Sequence, residues 1–449
     1  MNALKDIQHF YFIGIGGIGM SALAFYFHKS GKHVAGYDRT SSDVTKSLEQ
    51  VGISIHYNDR GDVVDETYTP NDTLVIYTPA VPNNFGELVR FRESGYTIKK
   101  RAEVLGMIAN AHYSLAVAGT HGKTTTSSIL GHLLAETGAA VTAFIGGITN
   151  NYNGNLIQKG NDVIVVEADE FDRSFLQLTP DIACITSMDA DHLDIYGDAD
   201  TLENTFKEFG GLVPSDKLFI KNGLPLDGLT VGIEDDADYS AQNIIIENGC
   251  YHFDFKHPNG VISKMQFNLP GRHNLSNAIT ALGMAMIYGS PTKLLPKALL
   301  SFSGVNRRFT YRLKTEHRVL IDDYAHHPTE IAAVCQSVEE MYPNEPVLAI
   351  FQPHLFSRTQ DFMEDFAMQL SQFDEVFLLD IYPARELPIK GVTSDALLEK
   401  IKIEKKQLIT KEELSIKIAQ ATQKIVVMMG AGDIGVEILK VTQDLKNAS

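Results

Sequence analysis

The sequence predicts an α/β protein of three domains, in which helices cover mostly parallel sheets. Apolar runs of strand length alternate with helical patterns through most of the 449 residues. Glycine-rich turns follow several of these runs, as they do where a strand passes directly into a helix. At about 150 residues per domain, the length also suggests three domains.

The first segment predicts a Rossmann-like domain. A strand over residues 10–15 leads into a glycine turn, a helix over residues 20–29 and a second strand ending at Asp38. Gly14, Gly16 and Gly19 fit a dinucleotide fingerprint, and Asp38 lies where an acid would bind a ribose. The turn could serve an NAD-dependent oxidoreductase or a nucleotide sugar, or it could only pack the helix on the strand.

The second segment predicts a central P-loop-type ATPase domain with a mostly parallel sheet. A strand over residues 115–118 is followed by Gly-Thr-His-Gly-Lys-Thr-Thr and a helix-compatible stretch. This order makes a phosphate cradle, with Lys123 on the β- and γ-phosphates and the Thr124 hydroxyl facing Mg²⁺. Val117 stands where the strict motif has glycine. The alternative is a turn without a ligand.

Acids follow two further strands of this segment. The strand over residues 163–167 ends in Glu-Ala-Asp-Glu, which puts Glu167 across from Thr124 as a second Mg²⁺ ligand. His192 lies in an Asp-His-Leu-Asp run and could complete a metal site. A solvated acidic loop and a structural histidine are the alternatives. The stretch over residues 218–267 predicts β-hairpins.

Two amides and two arginines lie near the next boundary. Asn274 and Asn277 share a helix face, where they could contact an adenine edge or cap the helix. Arg308, beside Arg307, could stabilise a transferring phosphoryl group or form a surface ion pair.

The last segment predicts another Rossmann-like domain, with strands over residues 319–321, 347–351, 376–379 and 425–429. Asp323 and His326 follow the first of these strands, and His354 and Arg358 follow the second. Such positions, at the carboxyl ends of parallel strands, favour ligand binding.

Composition excludes several classes of protein. The net charge of −17 argues against broad nucleic-acid binding. No apolar run reaches the ~18 residues that a membrane span needs. The polar start shows no signal peptide, and three widely spaced cysteines suit a reducing compartment, so we expect a cytoplasmic protein.

Seven motifs in this order resemble the Mur ligase family over residues 10–435. They are GIGGIGMS, GTHGKTT, EADE, DHLD, GRHN, RRF and DDYAHHPTE. The resemblance implies three domains: a Rossmann-like UDP-substrate-binding domain over residues 1–108, an ATP-binding domain over 109–314 and a Rossmann-like amino-acid-binding domain over 315–449.

The resemblance also implies an activity in peptidoglycan precursor synthesis. ATP and Mg²⁺ would activate the lactyl carboxylate of UDP-N-acetylmuramate as an acyl phosphate, which the amine of L-alanine attacks. A related ligase that recycles a whole murein tripeptide is the alternative, and the short chain favours the smaller acceptor. We expect a monomer or weak homodimer, without nucleic acid or membrane insertion.

Site residues follow from the resemblance by position. The catalytic set comprises Lys123, Glu167, His192, Arg308 and Asp323. Mg²⁺ would be held by Thr124, Glu167 and His192. The ATP set comprises Gly119, Thr120, His121, Gly122, Lys123, Thr124, Thr125, Asn274, Asn277 and Arg308. The UDP-substrate set comprises Gly14, Gly16, Gly17, Gly19, Met20, Ser21, Asp38, His326, His354 and Arg358.

Two other hypotheses explain fewer residues. An NAD-dependent oxidoreductase would use the first glycine turn but leave Lys123, Glu167 and Arg308 without a role. A non-catalytic nucleotide-binding regulator would not need Lys123, Glu167 and His192 together. One departure from the family pattern is Leu355, where arginine is frequent.

Overall fold

The computed structural model describes residues 4–61, 67–191, 193–247, 249–384 and 386–448. Over these residues the strands form three sheets. The chain divides into two compact units. The first comprises Met1–Gln242, Asp254–Met265 and Asn277–Phe302, and the second comprises Asn243–Phe253, Gln266–Ser276 and Ser303–Ser449.

The first sheet is parallel throughout and has the strand order β3-β2-β1-β4-β5. Its strands are β1 His9–Ile13, β2 His33–Tyr37, β3 Ser54–His56, β4 Thr73–Tyr77 and β5 Thr97–Lys100, and its helices are α1 Ile18–Lys29, α2 Asp43–Gln50, α3 Gly86–Glu93 and α4 Arg101–Ala109. The chain leaves β1 to one side for β2 and later returns to the other side for β4. The first glycine turn therefore lies at a topological switch point, where open α/β sheets bind ligands.

The second sheet has the order β15-β14-β13-β12-β11-β10-β6-β9-β7-β8. Its strands are β6 Tyr113–Ala118, β7 Val141–Thr149, β8 Gly154–Gln158, β9 Val163–Glu167, β10 Ile182–Ile185, β11 Leu218–Lys221, β12 Leu229–Ile233, β13 Tyr239–Glu247, β14 Cys250–His257 and β15 Gly260–Phe267. The accompanying helices are α5 Lys123–Glu136, α6 Leu193–Tyr196, α7 Ala199–Gly210, α8 Arg272–Tyr288 and α9 Leu295–Leu300, with 3₁₀ turns at Phe171–Gln177, Ser215–Lys217 and Thr292–Leu294.

The predicted hairpins are wrong for the first part of residues 218–267. β11 pairs in parallel with β10 and β12, and β12 pairs in parallel with β13. Alternation along a strand fixes which side chains are buried but carries no information about strand direction. The direction here is set by pairing with the parallel centre of the sheet.

The third sheet has the order β16-β17-β21-β18-β19-β20 and is parallel except for the edge pair β16–β17. Its strands are β16 Thr310–Lys314, β17 Val319–Asp323, β18 Val347–Phe351, β19 Glu375–Leu378, β20 Lys406–Leu408 and β21 Ile425–Met429. Its helices are α10 Pro328–Met341, α11 Phe356–Asp361, α12 Met363–Leu370, α13 Ser394–Lys400, α14 Leu414–Gln420 and α15 Ile434–Ala448.

Helices cover both faces of the third sheet. Ile321 and Val427 belong to the apolar cluster on one face, whereas Leu320 and Val426 belong to the cluster on the other. This double burial explains why the central strands are continuous apolar runs. The predicted α/β class with mostly parallel sheets is confirmed.

One apolar cluster of the first unit contains side chains from both of its sheets, among them Phe10, Ile76, Ala116 and Ile164. A polar contact joins the same layers, because the Asn155 amide of β8 donates to the Ser21 hydroxyl (2.8 Å) and the Ile18 carbonyl (2.5 Å) of α1. The first turn of α1 is thereby fixed to the second sheet. Within the described part of the chain, no helix is both long and apolar enough to cross a membrane.

Candidate active site

The predicted phosphate turn lies between β6 and α5. Gly119 and Gly122 have positive φ angles of 126° and 85°, which favour glycine. Gly122 caps α5, and the first turn of that helix carries no acid, so its free N–H groups and dipole favour an anion. The helix begins at Lys123, earlier than the sequence pattern indicated.

Residues after β10 close this turn from one side. The Thr120 hydroxyl donates to the Asp189 carbonyl (2.7 Å), and the His121 amide donates to the Ser187 hydroxyl (2.8 Å). Thr125 is buried in the helix. The turn is therefore shaped before any nucleotide arrives.

Lys123 forms a buried ion pair. Its ammonium donates to both Glu170 carboxylate oxygens (2.8 and 2.7 Å) and to the Gly119 carbonyl (2.7 Å). The Glu170 side chain is only 1% exposed and that of Lys123 only 17%. Burial alone would lower the pKa of Lys123, but attraction by Glu170 outweighs it and raises the pKa, so the ammonium stays charged.

Glu167 faces the first turn of α5, as predicted. One of its oxygens accepts from the Thr124 hydroxyl (3.2 Å), and the other accepts from the Ser127 hydroxyl (3.0 Å) and the Gly146 amide (2.5 Å). Burial raises the pKa of this carboxyl, and the hydrogen bonds oppose that shift. A buried carboxylate beside a hydroxyl offers the hard oxygen ligands that Mg²⁺ prefers.

The first glycine turn is closed by Asp38, at the end of β2. Its carboxylate accepts from the Gly16 amide (2.8 Å) and the Thr40 amide (3.2 Å). Gly14 has a φ of 86°. A side chain at Gly16 would collide with Asp38 and Thr45. The turn thus needs Asp38 for its own shape, and the ribose contact stays a prediction.

Two predicted substrate residues on α1 are buried. The Ser21 hydroxyl donates to the Ile18 carbonyl (3.0 Å) in addition to accepting from Asn155, so its hydrogen bonds are made within the protein. Met20 is 1% exposed and packs in the apolar cluster. The Ser21 backbone amide also donates within the protein, to the Gly17 carbonyl (2.8 Å), so a direct role of Ser21 in binding stays a prediction.

A cavity of about 350 Å³ brings the two turns together within the first unit. The glycine turn and α1 contribute Gly17, Gly19 and Met20. The start of α5 contributes Lys123, the acidic segment after β9 contributes Glu167 and Asp169, and β7 contributes Gly146, while Thr78 and Arg101 also line the wall. Arg101 extends to within 3.8 Å of Asp169. The two predicted anion sites thus share one space.

The two predicted amides lie near the start of α8. The Asn274 amide donates to the Pro270 carbonyl (2.6 Å) and is almost fully buried. A side chain at Gly122 would come within 2.6 Å of the Asn277 amide oxygen. Asn277 therefore abuts the phosphate turn, whereas Asn274 holds the entry of its own helix.

Asp323 is buried at the carboxyl end of β17. Its oxygens accept from the Phe309 amide (2.7 Å) and the Ala325 amide (2.8 Å). Burial raises the pKa of Asp323 to about 6, although the nearby Arg308 guanidinium opposes this. Arg308 lies over the Tyr324 ring and 3.8 Å from Glu330.

The remaining predicted residues of the second unit surround β17 and β18. The His326 ring lies 3.2 Å from the Glu330 carboxylate and 6.1 Å, centroid to centroid, from the His354 ring. His354 stacks on Tyr382, and Arg358 is buried in α11. Leu355, at the departure from the family pattern, has a φ of 70°. His192 lies outside the described residues.

Several residues of the site escaped sequence reasoning. Gly146 and Ser127 hold Glu167. Asn155 fixes α1, and Arg101 lines the cavity. Their contacts span long distances in sequence, so no local pattern marks them. Glu170 was visible within an acidic motif, but only the fold shows that it pairs with Lys123.

A dehydrogenase would need only the first of the two turns. A phosphate turn with a buried lysine at the same cavity is instead typical of a protein that binds a nucleoside triphosphate. Three family models match consecutive parts of the chain: Mur ligase family, catalytic domain (residues 9–113), Mur ligase middle domain (117–285) and Mur ligase, glutamate ligase domain (307–435). The chain belongs to the Mur ligase family.

Curated relatives match nearly end to end. The chain is 60% identical to the UDP-N-acetylmuramate–L-alanine ligase of Christiangramia forsetii, over 99% of both chains. It is 58% identical to that of Flavobacterium psychrophilum, covering 98% of this chain and 99% of the relative. The ligase of the same name from Porphyromonas gingivalis is 46% identical, over 98% and 99%.

Solved structures show the same fold. UDP-N-acetylmuramate-alanine ligase from Thermotoga maritima aligns over 98% of this chain and 100% of its own, with a TM-score of 0.81 and 27% identity. A murein peptide ligase from Psychrobacter arcticus aligns over 98% and 99%, with a TM-score of 0.71 and 20% identity, which supports the fold alone.

We expect Gly122→Ala to weaken nucleotide binding at least about tenfold, because the added methyl group meets Asn277 at a positive φ. Gly138→Ala is the matched control, since Gly138 has a φ of 94° with open space around it. Each substitution should cost about 1 kcal/mol of stability through backbone strain. Calorimetric titration with ADP measures the affinity, and equal affinities in the two variants would contradict this role for Gly122.

We expect Glu170→Gln to destabilise the unliganded protein by about 1–3 kcal/mol, because the buried ammonium of Lys123 loses its charged partner. ADP phosphates would resupply negative charge. Saturating ADP should therefore raise the melting temperature more in this variant than in the unsubstituted protein. Glu203→Gln is the control, as it removes an exposed pair with Lys207. If ADP raises the melting temperature of Glu170→Gln and of the unsubstituted protein by the same amount, Lys123 does not exchange Glu170 for the ADP phosphates.

We expect Asp323 to make stability depend on pH. Because its folded-state pKa is about 6, against 3.8 for a free aspartate, the folded state binds more protons between these values. Its contribution to the free energy of unfolding therefore falls as pH rises from 3.8 to about 6, by up to about 3 kcal/mol, and is constant above that. The test is to measure the free energy of unfolding in urea for the unsubstituted protein and for Asp323→Asn across this pH range. If the two free energies depend on pH in the same way, Asp323 is not the source of the pH dependence.

Proposed function

We propose that the chain is an ATP-dependent ligase that joins L-alanine to the lactyl carboxylate of UDP-N-acetylmuramate. The single observation that carries this is the cavity bounded by the first glycine turn and by Lys123 at the start of α5, because the reaction must bring a diphosphate-linked carboxylate to a nucleotide phosphate. Full-length relatives of 46–60% identity bear the name of this L-alanine ligase, which favours it over the tripeptide-recycling ligase.

The chemistry follows from the poor reactivity of a carboxylate. A lactyl oxygen attacks the γ-phosphorus of ATP, so that an O–P bond forms and the bond to ADP breaks. The neutral amine of L-alanine then attacks the acyl carbon, and the tetrahedral intermediate expels phosphate as the amine loses a proton. The products are the amide, ADP and phosphate. Phosphoryl transfer of this kind depends on positioning and charge stabilisation.

The phosphate turn would bind the β- and γ-phosphates of ATP. The free N–H groups at the start of α5 and the Lys123 ammonium provide donors and positive charge for them. Lys123 would have to share its ammonium between Glu170 and the nucleotide. Hydrogen bonds of Thr120 and His121 hold this turn, Asn277 abuts it, and Thr125 is buried in the helix that follows.

The residues present fit Mg²⁺. Among the described residues no group of three or more His, Cys, Asp and Glu could hold a metal. Mg²⁺ at a nucleotide, however, usually takes only one or two protein ligands beside phosphates and water. Thr124 and Glu167 would hold it, with His192 as a further proposed ligand. When bound, it would neutralise charge on the transferring phosphoryl group.

The first glycine turn would bind the UDP diphosphate. Gly14, Gly16, Gly17 and Gly19 would form the main-chain cradle for the phosphates at the start of α1, whose first turn carries no acid. Arg101 on the cavity wall adds positive charge. The Asp38 carboxylate holds this turn closed through its hydrogen bonds with the Gly16 and Thr40 amides.

The second unit would supply the remaining groups. Arg308 and Asp323 are proposed as catalytic residues, and His326, His354 and Arg358 are proposed to contact substrate. The domain boundaries at residues 108 and 314 belong to the same proposal, as do a cytoplasmic location and a monomeric or weakly dimeric state without nucleic acid or membrane insertion.

Phosphate release tests the proposed function. With ATP, Mg²⁺, UDP-N-acetylmuramate and L-alanine together, we expect turnover, and omission of any one should abolish it. Lys123→Ala should remove turnover but leave binding of UDP-N-acetylmuramate nearly intact, because the first glycine turn holds that substrate. A surface substitution, Lys46→Ala, is the control, since this side chain is 61% exposed.

Other outcomes would change the assignment. Turnover with a murein tripeptide but not with L-alanine would identify the recycling ligase. A change in nicotinamide absorbance without phosphate release would favour a dehydrogenase. Equal loss of turnover and UDP-substrate binding in Lys123→Ala would contradict separate sites for the two substrates.

A further inference from the structure

A buried polar cluster of the second unit lies at the entry of α8, outside the groups assigned a role above. The Tyr251 hydroxyl donates to one Glu340 oxygen (2.6 Å), and Arg272 Nε donates to the other (2.9 Å). The Gly271 amide donates to the Tyr251 hydroxyl (3.0 Å). Glu340 thus holds the turn at Gly271 in two ways. It pairs with Arg272, the next residue in the chain, and it accepts from Tyr251, whose hydroxyl accepts from the Gly271 amide.

The cluster is buried at Tyr251 and partly exposed at Arg272. Tyr251 is completely buried, and the side chains of Glu340 and Arg272 are 17% and 35% exposed. Burial raises the pKa of the Tyr251 hydroxyl, and its bond to the Glu340 carboxylate adds to this. The tyrosine therefore keeps its proton and remains a donor to Glu340. Charge-assisted bonds of this kind are stronger than neutral ones.

Helix α10 contacts the same turn at a second point. Gly271 has a φ of 98°, and a side chain there would overlap the Ser337 hydroxyl. Ser337 and Glu340 are three residues apart and so lie on one face of α10. Helix α10 therefore holds the turn in place by packing of Ser337 against Gly271 and by the ion pair between Glu340 and Arg272.

The shape of this turn determines where Asn274 lies. The Leu275 amide donates to the Gly271 carbonyl (3.0 Å), which starts the helix, and the Asn274 amide donates to the Pro270 carbonyl. Both hydrogen bonds link Asn274, whose amide is proposed to contact the nucleotide, to the turn at Gly271. A shift at Gly271 would therefore move Asn274.

The opposite end of α10 carries other proposed site groups. Glu330, in its first turn, lies 3.8 Å from Arg308 and 3.2 Å from His326. Ten residues of helix separate Glu330 from Glu340, a rise of about 15 Å. One rigid element thus positions Arg308 and His326 at one end and the entry of α8 at the other.

We propose that Glu340 is a positioning residue for nucleotide binding, which holds the Gly271 turn through Arg272 and Tyr251 so that Asn274 is set in its binding geometry. This rests on the proposed function together with the assignment of Asn274 to the ATP-binding set by its position in the family pattern. Glu340 itself touches no substrate. Its effect is expected in nucleotide affinity, rather than in the chemical step or the UDP site.

Substitutions at Glu340 and a neighbour test the proposal. We expect Glu340→Ala to raise the KM for ATP about tenfold, with kcat within about twofold and the KM for UDP-N-acetylmuramate unchanged. Glu340→Gln, which keeps an acceptor for Arg272, should recover part of the affinity. Glu339→Gln is the matched control, because Glu339 is the exposed neighbour on the same helix. Tyr251→Phe should raise the KM for ATP as Glu340→Ala does. Because both side chains act through the same turn, the loss of binding free energy in the double variant should be smaller than the sum of the losses in the two single variants.

The affinity for ADP, measured by calorimetry, gives a second test that requires neither L-alanine nor turnover. Weaker ADP binding in Glu340→Ala, with unchanged binding in Glu339→Gln, supports the positioning role. A lower melting temperature with unchanged ADP affinity and KM would overturn it and leave Glu340 as a structural anchor. An unsubstituted protein that binds ADP but releases no phosphate would instead count against the proposed function.

Discussion

The arrangement of the first unit depends on one constraint: two helix N-termini from different sheets must face the same space. α1 meets it because its first turn is bonded to β8 through Asn155 and its apolar face shares a cluster with the second sheet. α5 meets it because its turn is closed by the segment after β10. Neither helix has an acid in its first turn, so both dipoles favour an anion. Displacing either helix would separate the two anion sites.

Charge is the second element of this arrangement. Glu167, Glu170 and Asp323 are buried carboxylates, and burial raises the pKa of each. Buried charges are tolerated when they are paired or hydrogen-bonded. Glu170 has Lys123, and Asp323 has two backbone amides. Glu167 has two hydroxyls and one amide but no cation within bonding distance among the described residues. This local excess of negative charge is a physical reason for a cation there.

Local chemistry made much of the fold predictable. Glycine turns directly after apolar runs predicted that α1 and α5 follow them, although both helices begin a few residues earlier than predicted, and β9, β18 and β21 have the predicted bounds. The pairing of Thr124 with Glu167 followed from their positions at the sheet edge. Strand direction in β11–β13, the Gly146 bond to Glu167 and the anchoring of α1 by Asn155 did not follow. These depend on segments that meet only in the folded chain, and residue spacing cannot encode them.

The shared cavity also bears on inhibitor design. Its wall combines the first glycine turn with Lys123 and Arg101, which favour acidic groups, whereas Glu167 and Asp169 on the same wall favour a cation between them. A rigid molecule with an acidic group at each end could occupy both helix N-termini and exclude both substrates at once. Part of its recognition would fall on Gly17, Gly19 and Gly146, and at Gly146 a side chain would collide with Glu167. Point mutations that abolish such binding would also impair the protein, which narrows the routes to resistance.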